Sequence, residues 1–321
     1  MTEQEISDFE LFLNLKNLEI LKDFSGKEIE ESNANFIINL LDKLLIYFPY
    51  NKHSCSFKYL YRLVINKRIV NNNVRLTQVV NLKYPPKKEL VKKYGRCNLP
   101  QQNILYASLS RMTALDEMRP QKGDLITETV WKKKSDRRLT YIPIFAHQPT
   151  NQPMINSNTG EIIPGLINTR TFEINQQFHL AISNYPKNLR LLSIKLVQFF
   201  ADCFSKQVNW TNHFNYLFSA YIADKLLNKV DKEEIDAIYY PSVADKLNSE
   251  NLAIKPTSFD DIYEPFGVIE SVITQTPSQG LGGYHMNMTL ATTTFDFKLD
   301  KIVWNEEKST EATFKIIDCH Y

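Results

Sequence analysis

Tyr94-Gly95-Arg96-Cys97-Asn98, Ile104-Leu105-Tyr106-Ala107-Ser108 and Thr113-Ala114-Leu115-Asp116-Glu117 form the stretch on which the fold turns. Glycine ahead of arginine marks a turn that presents a cation. The second segment is β-branched and aromatic, the composition of a short strand, and it carries a tyrosine. The third is a short helix bearing a carboxylate, with Ser110 as its expected N-cap and Pro120 limiting its C-terminal end. Taken singly these residues say little. An arginine after glycine is ordinarily a solvated turn residue, a strand tyrosine is ordinarily core, and a helix glutamate is ordinarily a surface charge.

Toward the N-terminus, Phe9, Phe12, Leu13, Leu18 and Leu21, then Phe36, Ile37, Leu40, Leu41, Leu44 and Leu45, recur at helical spacing. The apolar stretch from Phe57 to Val64 reads as a third helix, closed by Asn71-Asn72-Asn73. These patterns predict an N-terminal helical accessory region over residues 1–73 and a catalytic domain over residues 74–321. From Val74 onward, strands are expected at 74–82, 104–107, 125–131 and 139–145, then helices at 189–204 and 210–227. Strand-like runs return at 235–240 and from Tyr284 to the C-terminus. Strands gathered at the two ends of this region, without strict alternation with helices, give an α+β class. The segment from Gln148 to Gly165, with Pro149, Pro153 and Pro164, reads as a long loop, either a functional flap or an insertion.

The chain has 321 residues, 43% of them hydrophobic and 23% charged, which is enough to bury a core of ordinary globular composition. Its formal net charge of +2 supplies no long-range field toward nucleic acid. The basic run Lys132-Lys133-Lys134 with Arg137-Arg138 is read as a solvated face. Cysteines at 55, 97, 203 and 319 form no CxxC pair, and the histidines are scattered, so no metal site is expected. The acidic, amphipathic start lacks the features of a secretory signal, and the longest apolar run is too short to span a bilayer. A cytoplasmic protein without a membrane partner is expected, and the Asn209-Trp210-Thr211 sequon is read as a chance match. Gly280-Leu281-Gly282-Gly283 does not have the GxGxxG spacing and precedes a strand-like run, so it reads as a hairpin turn and not as a dinucleotide fingerprint.

The three opening segments acquire meaning together. Tyr106 stands ten residues after Arg96, and Glu117 eleven after Tyr106, within a helix of small and apolar residues. Further on, Asp236-Ala237-Ile238-Tyr239-Tyr240-Pro241-Ser242-Val243 puts a serine after a hydrophobic strand. Asn251-Leu252-Ala253-Ile254 then has an asparagine leading a small apolar strand. In this order and spacing the chain resembles the RES-domain family, over roughly residues 74 to 260. The family's additional early arginine is assigned to Arg75. The separation of 125 positions from Glu117 to Ser242 exceeds that in compact family members, so the Gln148–Gly165 region is expected as an insertion.

The resemblance implies an ADP-ribosyltransferase-like core of short mixed strands with flanking helices, and NAD⁺ as substrate with no further cofactor. It implies cleavage of the nicotinamide–ribose bond by phosphorolysis or hydrolysis, as in a bacterial toxin or defence effector. Arg96 would hold the pyrophosphate and Glu117 would be the catalytic carboxylate at the ribose. Tyr106 would pack against nicotinamide or its ribose, Ser242 would hydrogen-bond the carboxamide or ribose, and Asn251 would complete the NAD-binding set. Protein ADP-ribosyltransfer and a non-enzymatic NAD or ADP-ribose binding module are the alternative readings, because surrounding loops choose the acceptor. Expected partners are an antitoxin or other regulatory protein, or a second copy of the chain as a homo-oligomer.

Overall fold

A computed structural model describes residues 6–145, 169–208, 212–228, 234–244, 249–277 and 283–318. The expected loop at Gln148–Gly165, the sequon and most of the Gly280 cluster lie outside them. The chain is α+β, with an N-terminal helical region.

In chain order, helices α1 (Asp8–Ser25) and α2 (Ala34–Leu45) precede strands β1 (His53–Cys55) and β2 (Tyr59–Ile65) and the short helix α3 (Asn66–Val70). Next come β3 (Leu105–Ser108), α4 (Arg111–Met118), β4 (Leu125–Lys133) and β5 (Leu139–Pro143). Helices α5 (Thr169–Ile182), α6 (Lys187–Ser205) and α7 (Leu217–Asn228) follow. The chain continues through β6 (Ala237–Pro241), β7 (Glu250–Ile254), α8 (Pro256–Ile262), β8 (Tyr263–Gln275) and β9 (His285–Thr292). A small ribbon of β10 (Phe295–Asp296) and β11 (Lys301–Ile302) and helix α9 (Ser309–Ile317) complete the described elements.

Two compact units interleave along the chain. The first comprises residues 1–53, 93–100 and 140–241, and the second residues 54–92, 101–139 and 242–321. In the first unit, α1 begins at a capping box in which Ser7 Oγ accepts the Glu10 N–H and the Glu10 carboxylate accepts the Ser7 N–H. Leu18 and Leu21 of α1 and Ile37, Leu40, Leu41 and Leu44 of α2 are buried, and α1 packs on α2 and α6. The Tyr221 hydroxyl of α7 donates to Asp42 of α2 at 2.9 Å, and Lys225 pairs with the same carboxylate. Strands β5 and β6 run parallel, Tyr141 opposite Ala237.

The second unit is built on antiparallel strands in the order β7-β3-β2-β4-β8-β9. Alternation along the strands sorts their side chains between two faces. On one face Tyr61, Leu63, Ile65, Ile126, Val130 and Ile269 form a core with Ala114 and Leu115 of α4 and Ala312 and Ile316 of α9. The close approach of α9 requires Gly267 on β8, since a Cβ there would stand 2.5 Å from Ile316 Cδ1.

Several expected elements differ. Phe57–Val64 is not a third helix but contains most of β2, which is central in the sheet. Leu60, Tyr61, Leu63, Val64 and Ile65 are all buried, and a continuous apolar run of this length has no period that separates strand from helix. Residues 54–73 therefore group with the strands of the second unit. Val74–Leu82 is not a strand either. It ends in a 3₁₀ turn at Val79–Leu82, held to the β10–β11 ribbon by the Val79 N–H on the Asp300 carbonyl (3.1 Å). The C-terminal strand-like region includes helix α9, and helix α5 was not anticipated. Asn71, in the left-handed region at φ 55°, does end α3 as the asparagine punctuation suggested.

Candidate active site

Helix α4 follows β3 after a two-residue turn, and its N-terminus is fixed by Ser110, whose Oγ accepts the Thr113 N–H at 3.1 Å. Ala114 and Leu115 face the sheet, and Arg119 closes the helix in the left-handed region at φ 46°. Glu117 is thereby carried to the start of β7. Its Oε1 accepts the Ser242 hydroxyl at 2.6 Å and Asn251 Nδ2 at 2.7 Å. Asn251 is in turn oriented by the Ser108 hydroxyl, which donates to its Oδ1 at 2.6 Å, and Ser108 and Asn251 face each other across the β3–β7 ladder. The Ser242 N–H donates to the Ser249 carbonyl at 2.7 Å, which holds the serine beside the start of β7.

Ser108, Ser242 and Asn251 are buried and Glu117 is half-buried. Both donors fall on Oε1, and Oε2 has no partner among the described residues. A carboxylate fixed by charge-assisted bonds on one oxygen, with the other open, is a preorganised acceptor. Tyr106 precedes Ser108 by two on β3, so its half-buried ring lies on the same face of the sheet as the Ser108–Asn251–Glu117 chain. Beside them Arg111 forms a two-pronged pair with Glu128 of β4, with Nη2 to Oε2 at 3.0 Å. This pairing neutralises both groups.

Arg96 belongs to the first unit. Its Nη1 donates to the Phe204 carbonyl and, at 3.3 Å, to the Lys206 carbonyl, where α6 ends and its last carbonyls lack helical partners. The guanidinium also lies over the Tyr216 ring, 5.3 Å from its centroid. Arg75 is paired with Glu270 (Nη2 to Oε1, 2.9 Å) and lies over Trp304. Its charge is therefore already met by a buried carboxylate.

An arginine that the sequence reading did not single out is Arg62 on β2. Its Nη1 donates to the Tyr106 carbonyl at 2.7 Å, while Nε is buried without a partner, and no carboxylate pairs with it among the described residues. Burial pushes its pKa down to about 10, a direction that Tyr106 opposes. An arginine inside an apolar run with no acidic residue nearby in sequence was the available signal, and reading Phe57–Val64 as an outlying helix concealed it.

Among the described residues, no group of three or more His, Cys, Asp or Glu side chains is placed to hold a metal ion, and no helix is long and apolar enough to cross a membrane. Cys55, Cys97 and Cys203 are in no disulfide, and burial pushes the Cys97 and Cys203 thiols well above the usual range. No family model and no curated protein matches the chain.

Proposed function

We propose that the chain consumes NAD⁺ by breaking the bond between nicotinamide and ribose, with Glu117 as the catalytic carboxylate. The observation that carries this reading is the fixing of Glu117 Oε1 by Ser242 and Asn251 with Oε2 left open. When the C1′–N bond breaks, its electron pair neutralises the nicotinamide nitrogen and the ribose becomes oxocarbenium-like. A water or phosphate oxygen then forms the new bond to C1′. A carboxylate accepting a ribose hydroxyl through Oε2 stabilises that positive charge more in the transition state than in the ground state. Its anchors keep it from reorganising as charge develops.

Tyr106 supplies an aromatic wall on the same face of the sheet for nicotinamide or its ribose. Arg62 supplies the cation for a substrate phosphate. A largely buried guanidinium without a carboxylate is costly, and a phosphate would offer the missing charge. The experiment is incubation of the purified chain with NAD⁺, with and without inorganic phosphate, and identification of products. Free nicotinamide with ADP-ribose indicates hydrolysis, and with ADP-ribose 1″-phosphate indicates phosphorolysis. No nicotinamide under either condition sinks the proposal.

A further inference from the structure

The two donors on Glu117 Oε1 are held in different ways. Ser242 is fixed through its backbone, whose N–H donates to the Ser249 carbonyl at 2.7 Å. Asn251 reaches the carboxylate with a planar amide, and the last side-chain bond of an asparagine has no sharp rotamer of its own. Its plane is fixed from the far end. Oδ1 accepts the Ser108 hydroxyl at 2.6 Å, while Nδ2 donates to Glu117 Oε1 at 2.7 Å.

The ends of an amide differ in which can donate and hardly at all in shape, so either orientation fills the same space. Two contacts choose between them. Reversed, Oδ1 would face the Glu117 carboxylate, acceptor against acceptor, and the Ser108 hydroxyl would lose the one side-chain acceptor it has among the described residues. Ser108 and Asn251 are both buried, so neither has bulk water to fall back on. The sheet sets the distance between them. They are directly opposed in the antiparallel β3–β7 ladder, the last of four pairs that begin with Leu105 opposite Ile254. Opposed residues of such a ladder share a face with Cβ atoms roughly 4.5–5.5 Å apart, within reach of a hydroxyl and an amide.

We infer that Ser108 is a positioning residue for the cleavage proposed above, holding the Asn251 amide so that Nδ2 stays on Glu117 Oε1. The inference rests on Glu117 being the catalytic carboxylate. Ser108 stands behind the amide, one side chain removed from Glu117, and acts through Asn251. Without the hydroxyl, Oδ1 is a buried acceptor whose donor is gone. The amide turns to find another, and the turn carries Nδ2 away from Oε1. Glu117 keeps its bond from Ser242 and loses part of the preorganisation that acts as charge develops on the ribose. Substrate binding is little changed, because Ser108 does not touch the substrate.

The test is nicotinamide release from NAD⁺ by the full chain, wild type beside Ser108→Ala, Ser108→Thr, Asn251→Ala and the double variant Ser108→Ala with Asn251→Ala. Ser108→Ala is expected to lower kcat about tenfold and to leave KM within about twofold of wild type. Ser108→Thr keeps the hydroxyl on a side chain that strands favour, and should hold kcat within about threefold of wild type. In the Asn251→Ala background, adding Ser108→Ala should change kcat by less than about twofold, because the group it acts through is gone. Losses that multiply in the double variant overturn the inference. So does a Ser108→Thr chain as slow as Ser108→Ala, or a folded Ser108→Ala chain with wild-type kcat. If Ser108→Ala does not fold, Ser108→Cys, close in shape with only a weak S–H donor, takes its place under the same expectations. A wild-type chain that releases no nicotinamide defeats the proposed cleavage and this inference together, whereas wild-type turnover with any of the contrary results defeats this inference alone.

Discussion

Replacing Arg62 by methionine should separate stability from ligand binding, because the guanidinium is costly to the fold and useful only to a bound anion. Burial pushes the pKa of Arg62 well below its ordinary value, to about 10, which corresponds to roughly 3 kcal/mol against the charged form. The buried Nε without a partner is part of that cost. Against this stands the one bond from Nη1 to the Tyr106 carbonyl, a charged-donor bond of about 1.5–3 kcal/mol. The two nearly cancel. Methionine is unbranched and fills similar space without a charge. Arg62→Met is therefore expected to change unfolding free energy by no more than about 1 kcal/mol in either direction, a few degrees of Tm at most. Loss of a charge-assisted bond to phosphate should at the same time weaken NAD⁺ binding by roughly 10- to 100-fold. Thermal unfolding without ligand and calorimetric titration with NAD⁺, or with ADP-ribose as the non-cleavable probe, read the two quantities separately. A variant that unfolds many degrees lower while binding NAD⁺ as tightly as wild type would falsify the reasoning, since Arg62 would then be a structural strut.

Glu117→Gln, nearly isosteric and uncharged, should lower NAD⁺ cleavage by about 10²- to 10³-fold while circular dichroism and Tm stay near wild type; a folded variant with undiminished turnover would remove Glu117 from the chemistry. Arg96→Met should destabilise the chain by about 1–3 kcal/mol in denaturant titration, because the Phe204 and Lys206 carbonyls at the end of α6 lose their donor. For Asp124, burial alone would raise the pKa, but the bonds from Lys67 and the Gln121 N–H outweigh it and the net direction is down. Its contribution is thus complete above about pH 4 and lost as pH falls through the depressed value, so Lys67→Met should flatten the loss of stability on acidification. Gly267→Ala should cost about 1–3 kcal/mol by overpacking against Ile316, and Ile316→Ala in the same chain should recover part of it; additive losses would mean that the two do not compete for space.

What the sequence disclosed of the site was its local grammar. Ser110 and Pro120 bracket α4, and the spacing from Tyr106 to Glu117 is a strand followed by a short capped helix. The later Ser242 and Asn251 flank the start of a strand that pairs with β3, so residues more than 100 positions apart meet at one carboxylate. Ser108, which orients Asn251, carried no such mark, because a serine at a strand end reads as an ordinary polar terminus. The sequence concealed more where two burial faces erase the period. Strand β2 is apolar on both sides, so it mimics a helix segment, and with it went Arg62. For Arg75 tertiary structure supplies what the sequence does not: Glu270 arrives from β8 to meet its charge, whereas no acidic group among the described residues arrives at Arg62. At Glu117 and Arg62 the polar groups that folding leaves without partners set, by their number and sign, what kind of ligand could complete them.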